Sequence, residues 1–377
     1  MPFPATLIFI PGYKGSRLVA AKAKTTRWLT ASQIFPWDRT DLAFLREAAE
    51  ASKPDLVPDR LLAALKLGPG LTKDIYQGFL VRMQQKLPAW SMVPFAYDWR
   101  ADLLEQVKQL HKFILALRRQ GHQNFHLIAH SMGGVIAAYW LKYGDRPFSG
   151  QTPGWEGLRM VDKVVFAGVP FQGTSQAMWY ALQGDPVGWN RHILAPAVVS
   201  TFPSSYQMFP SLESPWLFSL ETRKPLNPKD AAVWTSLGMS RLGNEPERIN
   251  FILRQLKTGA NIMMAIQHPA PVSDRNKTPE KILNLTGRGY ATKHQLLWSQ
   301  NQRRLMSVPP RGKSSPETYT PYAEGDGIAT AASSTLPVAY GAFGKDAAIT
   351  SRHEQFFHLS AVDRLVLKFF SNSKSNL

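Results

Sequence analysis

A serine stands between a strand-like run and a helix-like run in Phe125-His126-Leu127-Ile128-Ala129-His130-Ser131-Met132-Gly133-Gly134-Val135. Small residues on either side let the chain turn sharply there and expose the hydroxyl, the local context of a nucleophilic serine. The usual pattern is G-x-S-x-G; Ala129, still small, replaces the first glycine. A serine hydroxyl needs a base to activate it, and the base needs a carboxylate to orient it. In chains with such an elbow the acid follows the serine and the histidine follows the acid. Of the nine histidines, His353 and His358 come after a late strand-like run and before the C-terminal helical pattern. His353 is nearer the strand end and is assigned as base, with His358 expected to start the helix. Asp326, in Glu324-Gly325-Asp326-Gly327, is assigned as acid because the glycines allow a carboxylate on a tight turn. The bland alternative is a turn and nothing more.

Attack on an ester creates an oxyanion that needs fixed donors. The expected donors are the N–H of Met132, at the start of a helix, and the N–H of Tyr13 in Pro11-Gly12-Tyr13-Lys14-Gly15. Gly12 is the alternative to Tyr13. Each such donor stabilises the transition state by ~3 kcal/mol. Gly12, His130, Phe171 and Trp179 are further candidates for contact with substrate or lid. The chemistry implied is formation of an acyl-enzyme that passes its acyl group to water or to an alcohol.

The elements that must position these residues read as alternating strands and helices. Thr6–Ile10, Met92–Ala96, Phe125–Ala129, Lys163–Gly168, Lys281–Leu285 and Val338–Phe343 are apolar, β-branched or aromatic runs ending in turn signals. Val107, Leu110, Ile114 and Leu117 recur at helical spacing before Gly121, and Val135–Lys142 forms a helix before Gly144. Val362, Leu365, Val366 and Phe369 mark a C-terminal helix. This alternation predicts an α/β fold, a mostly parallel sheet flanked by helices. The core is expected from residues 1–174 and 281–377, with one insertion at about 19–74. A second, at 175–280, is rich in proline and in large aromatics such as Trp179, Trp189 and Trp216. A structureless loop of that length is implausible, so it is read as a helical cap or lid. Arg303–Gly325 reads as a mobile surface loop.

The chain carries 44 Lys and Arg against 27 Asp and Glu, a net charge of +17. That field suits polyanions. No basic block or nucleic-acid motif accompanies it, so no nucleic acid is expected and an anionic membrane surface is the favoured partner. The alternative is a solvated basic surface. With no cysteine, disulfides, a cysteine nucleophile and thiolate metal sites are excluded; neither metal nor cofactor is expected. No transmembrane segment or signal peptide is legible, which suggests a cytoplasmic or peripheral-membrane location.

Several stretches resemble lecithin:cholesterol acyltransferases and their bacterial relatives. Ile10-Pro11-Gly12-Tyr13-Lys14-Gly15-Ser16-Arg17-Leu18 is similar to that family's entrance motif, and Phe95-Ala96-Tyr97-Asp98-Trp99-Arg100 to its YDWR element. Ala167-Gly168-Val169-Pro170-Phe171-Gln172-Gly173-Thr174-Ser175 and Thr201–Pro210 resemble its later strand end and cap. The resemblance implies an α/β-hydrolase core, a lid over the serine and O-acyl transfer from a phospholipid or other ester. A lipase or phospholipase using water is the alternative, and a non-catalytic lipid-binding protein is the reading from another class. Asp98, Trp99 and Arg100 are read as a buried ion-paired strand end below the site. Gly173-Thr174-Ser175 either shapes the acyl pocket or starts the cap.

Overall fold

The computed structural model describes residues 4–44, 55–68, 70–211, 214–238, 245–269 and 280–371. Six strands make the central sheet: β1 (Thr6–Ile10), β2 (Ser91–Pro94), β3 (Phe125–His130), β4 (Lys163–Ala167), β5 (Ile282–Arg288) and β6 (Gly344–Thr350). Their order is β6-β5-β4-β3-β1-β2, and every pairing is parallel. A parallel sheet is covered on both faces, so its inner strands are apolar throughout rather than alternating. Strands β1, β3 and β4 are accordingly buried at every position.

Helices cover both faces: α1 (Gln77–Lys86), α2 (Leu103–Arg119), α3 (Met132–Tyr143) and, at the C-terminus, α6 (Ser360–Ser371). Helix α2 starts where Asp102 accepts hydrogen bonds from the Leu104 and Glu105 N–H groups, satisfying two otherwise orphaned donors. It buries Val107, Leu110, Ile114 and Leu117 on one face. Such side chains contribute about 1.5–3 kcal/mol each on leaving water. Helix α3 is buried all round, which explains its lack of a polar stripe.

The last strand is not where the apolar run lies. Val338–Tyr340 is a short 3-10 helix after Pro337, and the Tyr340 hydroxyl donates to the Ala138 carbonyl. The strand is Gly344–Thr350, whose only fully buried residue is Ile349. An edge strand keeps polar residues, so the hydrophobic signal pointed to its neighbour. Arg303–Gly325 also differs from expectation. Arg304–Met306 pairs with Leu296–Ser299, and Tyr322–Gly325 pairs with Tyr290–Lys293. Between them the Tyr319 hydroxyl donates to the carbonyls of Gln295 and Ser307.

Residues from Ser175 onward form α4 (Ser175–Gln183), several shorter helices and the long α5 (Glu245–Gln267). They are not wholly helical, because Leu217–Ser219 pairs in parallel with Leu296–Ser299. Their aromatics pack mainly on one another: Tyr206, Phe209, Trp216 and Trp234 share a buried cluster. Between β1 and β2, Ser16–Ala20, Thr26–Trp28 and Leu56–Leu61 form a small antiparallel sheet. Among the described residues no helix is long and apolar enough to cross a membrane.

Candidate active site

Strand β3 ends at His130, and Ser131 follows with φ 53° and ψ −128° before α3 begins at Met132. A non-glycine residue rarely adopts positive φ, and the strained turn lifts the hydroxyl out of the chain. Close packing enforces the small neighbours. A Cβ on Gly133 would sit 2.3 Å from the Pro11 carbonyl oxygen. Ala129 is fully buried and keeps its Cβ, so the first elbow position here has room that Gly133 lacks.

Three predicted residues converge. Ser131 Oγ is 2.8 Å from His353 Nε2, and His353 Nδ1 is 2.7 Å from Asp326 Oδ2. All are buried, at 7% or less exposure. Asp326 sits one residue past the strand Tyr322–Gly325, and its Oδ1 accepts the N–H groups of Ile328 and Ala329. Its backbone carbonyl accepts the His353 N–H at 2.9 Å. Burial alone would raise the Asp326 carboxyl. The adjacent His353 imidazole and the two N–H groups outweigh that and hold it below the usual carboxylate range. An ionised carboxylate can only accept, so His353 Nδ1 carries the proton and Nε2 is left to accept from the serine. His358, by contrast, ends the 3-10 turn His353–His358 and faces Asp74 at 3.8 Å. The helix after it starts at Ser360.

A mostly apolar cavity of about 60 Å³ opens beside Ser131, lined by Tyr13, Met132, Thr174, Gln176, Tyr180 and Met208 among others. Among the described residues, the N–H groups of Tyr13 and Met132 have no acceptor in the protein. The Gly12 N–H is engaged by the Tyr76 hydroxyl at 3.3 Å, which removes Gly12 as the alternative donor. Gly12 nevertheless abuts the serine, since a Cβ there would lie 2.8 Å from Ser131 Cβ.

The other candidates do not line the cavity. Phe171 is buried against Phe166, and its carbonyl accepts from Gln267. Trp179 lies beneath the Lys293 ammonium, 4.7 Å from its ring centre. His130 is buried behind the elbow, between Tyr76 and His353. Thr174 does both things considered for it: it lines the cavity and caps α4 by accepting the Gln176 N–H. Arg100 grips Asp98 through two nitrogens, at 3.0 and 2.7 Å, and donates to the Leu42 carbonyl, so these two residues form a buried ion pair. Tyr76 and Tyr180 were not legible, because each reaches the site from a segment with no motif of its own, whereas Met208 comes from the Thr201–Pro210 stretch.

An exposed aromatic group lies on another part of the surface. Trp37 and Trp189 are 68% and 71% exposed and flank Phe35, with ring centres 4.5 and 5.7 Å from it. Arg39 and Arg191 are exposed beside them in sequence. Trp216, named with Trp189 among the aromatics of residues 175–280, is buried instead.

The family model described as "Lecithin:cholesterol acyltransferase" matches residues 87–307, more than half of the chain. The match contains Ser131 but ends before Asp326 and His353, and starts after the Pro11–Gly15 loop. The uncharacterized protein YJR098C of Saccharomyces cerevisiae is 25% identical over 245 residues, covering 63% of this chain and 34% of that protein. The chain therefore spans about a third of that relative's length. Among solved structures, the Tle4–Tli4 complex has a chain similar at TM-score 0.55 and 13% identity, covering 97% of this chain and 98% of that one. That likeness concerns the fold alone. The mature Bacillus licheniformis lipase BlEst2 is similar at TM-score 0.38 and 13% identity, over 97% of this chain and 94% of that one. With the parallel sheet, the strand–serine–helix elbow and the family match in agreement, this chain has an α/β-hydrolase fold and belongs to the lecithin:cholesterol acyltransferase family.

Proposed function

We propose that this protein transfers acyl groups from lipid esters through a covalent acyl-serine. Ser131 is the nucleophile, His353 the base and Asp326 the group that orients His353. The N–H groups of Met132 and Tyr13 receive the oxyanion. His353 Nε2 takes the serine proton as Oγ attacks the ester carbonyl, then returns it to the departing alkoxide. The same base next activates the acceptor, and transfer to an alcohol regenerates the free serine. What carries this reading is the Asp326–His353–Ser131 hydrogen-bonded chain at the edge of an apolar cavity. Apolar walls disfavour water at the acyl-enzyme, which favours an alcohol acceptor over hydrolysis.

The test has two parts. A fluorophosphonate probe labels the wild-type protein and not Ser131→Ala. With a lipid ester donor and a long-chain alcohol acceptor, the acyl ester forms faster than the free acid. Free acid as the sole product would make the protein a lipase or phospholipase. No labelling at all would leave a lipid-binding protein.

We also propose that the Trp37–Phe35–Trp189 group docks the enzyme on an anionic lipid surface. Trp rings favour the membrane–water interface, and Arg39 and Arg191 stand beside them to meet anionic headgroups.

A further inference from the structure

We propose that Tyr76 and His130 are positioning residues. In this role one buried hydrogen-bonded chain sets both the Tyr13 N–H and the His353 backbone against Ser131. The inference rests on the catalytic roles given above and adds residues that they leave out.

The chain has four members. The Gly12 N–H lies 3.3 Å from the Tyr76 hydroxyl, and that hydroxyl lies 3.0 Å from His130 Nδ1. His130 Nε2 then lies 3.1 Å from the His353 carbonyl oxygen. The proton inventory allows one assignment. A carbonyl can only accept, so His130 Nε2 carries the hydrogen and Nδ1 keeps its lone pair. Tyr76 must therefore donate to Nδ1, which leaves its oxygen to accept from Gly12. Every donor has an acceptor and none is used twice.

At one end the chain orients the oxyanion loop. The Pro11–Gly12 peptide is held on both sides: the Pro11 carbonyl accepts from the Tyr97 hydroxyl at 2.8 Å, and the Gly12 N–H reaches Tyr76. The next peptide has its Gly12 carbonyl held by the Gly15 N–H at 3.0 Å. In a trans peptide the N–H points opposite to the carbonyl, so these anchors fix the direction of the Tyr13 N–H. At the other end, the His353 carbonyl is tied to His130 while the His353 N–H is tied to the Asp326 carbonyl. The base is thus held by its backbone on both sides as well as by its ring.

The chain is dry. Tyr76 and His130 are 5% and 6% exposed, and Phe357 packs edge-on against both rings. Burial, reinforced by the nearby His353, pushes the His130 imidazole down to about 3, so the ring stays neutral. The titratable groups facing it are His353, Asp326 and Tyr76. Displacing an oxyanion donor or a base by about 1 Å costs on the order of a hundredfold in rate, so a chain that fixes both has a kinetic role distinct from packing.

Two measurements test the assignment on the full chain. The first is independent of activity. Nitrogen-15 spectra of the wild-type protein are expected to show His130 as the neutral Nε2–H tautomer throughout pH 5–8. An Nδ1–H tautomer, or a ring titrating near its ordinary value, overturns the chain whether or not the enzyme is active. The second uses a p-nitrophenyl ester and the fluorophosphonate probe. Tyr76→Phe is expected to lower kcat and the labelling rate together by about 10- to 100-fold, with KM within about twofold of wild type. His130→Gln retains one donor and one acceptor and is expected to recover much of the activity lost in His130→Leu. Equal losses in Gln and Leu, or a kcat that merely follows the unfolded fraction read from thermal melts, would show that these residues only support the fold. Absence of labelling in the wild-type protein would instead reject the serine mechanism, with the spectra still deciding the chain.

Discussion

His353 has one proton to place on its two ring nitrogens, and its neighbours decide where it goes. Asp326 Oδ2 at 2.7 Å accepts it on Nδ1, which makes Nε2 basic toward Ser131 at 2.8 Å. Asp326→Asn would change the geometry little but could present an amide donor to Nδ1. The imidazole would then favour the other tautomer, with a hydrogen pointing at the serine. We expect kcat to fall by about a thousandfold or more while Tm moves little. A loss under tenfold, measured with a p-nitrophenyl ester, would show that Asp326 is not the orienting group. These residues were legible because each sits in a locally marked turn: Ser131 between strand and helix, Asp326 between glycines, His353 just past a strand. Tyr76 carries no such mark. It lies before an ordinary amphipathic helix, and its importance comes from reaching His130 across 54 positions in sequence.

At the scale of elements, buried lysines close several helix ends. Lys142, on α3, donates to the carbonyls of Ala265, Ile266 and His268 at the C-terminus of α5. Lys281, half-buried, likewise serves the carbonyls of Leu158, which opens a short 3-10 helix, and of Val161, just after it. The last carbonyls of a helix have no partner within it, and the Lys142 amine supplies N–H donors to them even though burial pushes its pKa down to about 7. Lys142→Met would keep the volume and strand the α5 carbonyls in an apolar setting. It is expected to destabilise the fold by about 2–3 kcal/mol, read as a lower midpoint in denaturant. A change under about 0.5 kcal/mol would mean that other donors replace it. Helix α5 matters to the site because Gly259 packs on the Gln207 backbone, next to Ser204, Ser205 and Met208 in the cavity wall. None of this is visible in α5 itself, because Gln207 lies about fifty residues before Gly259 and Lys142 more than a hundred before the helix end.

For the molecule as a whole, the net charge of +17 and the exposed Trp37 and Trp189 point in the same direction. Charge would concentrate the protein at an anionic surface, at ~1 kcal/mol for each well-placed Lys or Arg, and the indoles would anchor it there. Turnover of one ester is expected to be faster in anionic than in neutral vesicles, with the advantage lost as salt screens the surface. Trp37→Ala with Trp189→Ala should reduce the vesicle rate several-fold and leave turnover of a monomeric ester unchanged. Equal rates on both vesicle types at low and high salt would leave the charge without a role in substrate access.

The sequence by itself determined the alternation of strands and helices, the elbow at Ser131 and the two turns that carry Asp326 and His353. Those features are local: a few residues in a row decide whether a chain turns, and small or apolar neighbours announce it. It misplaced the last strand, because the edge strand Gly344–Thr350 is largely exposed while the apolar Val338–Tyr340 is a 3-10 turn after Pro337 that buries Ala339 and Tyr340 and leaves Val338 exposed. It also treated the aromatics of residues 175–280 as one class. Only tertiary packing separated Trp216, enclosed with Phe209 and Trp234, from Trp189, which lies beside Phe35 at the surface. The different surroundings of the Gly12 and Tyr13 N–H groups are likewise tertiary. Both N–H groups lie in the same loop, and a tyrosine 64 residues from Gly12 engages the Gly12 N–H, while the Tyr13 N–H has no acceptor among the described residues.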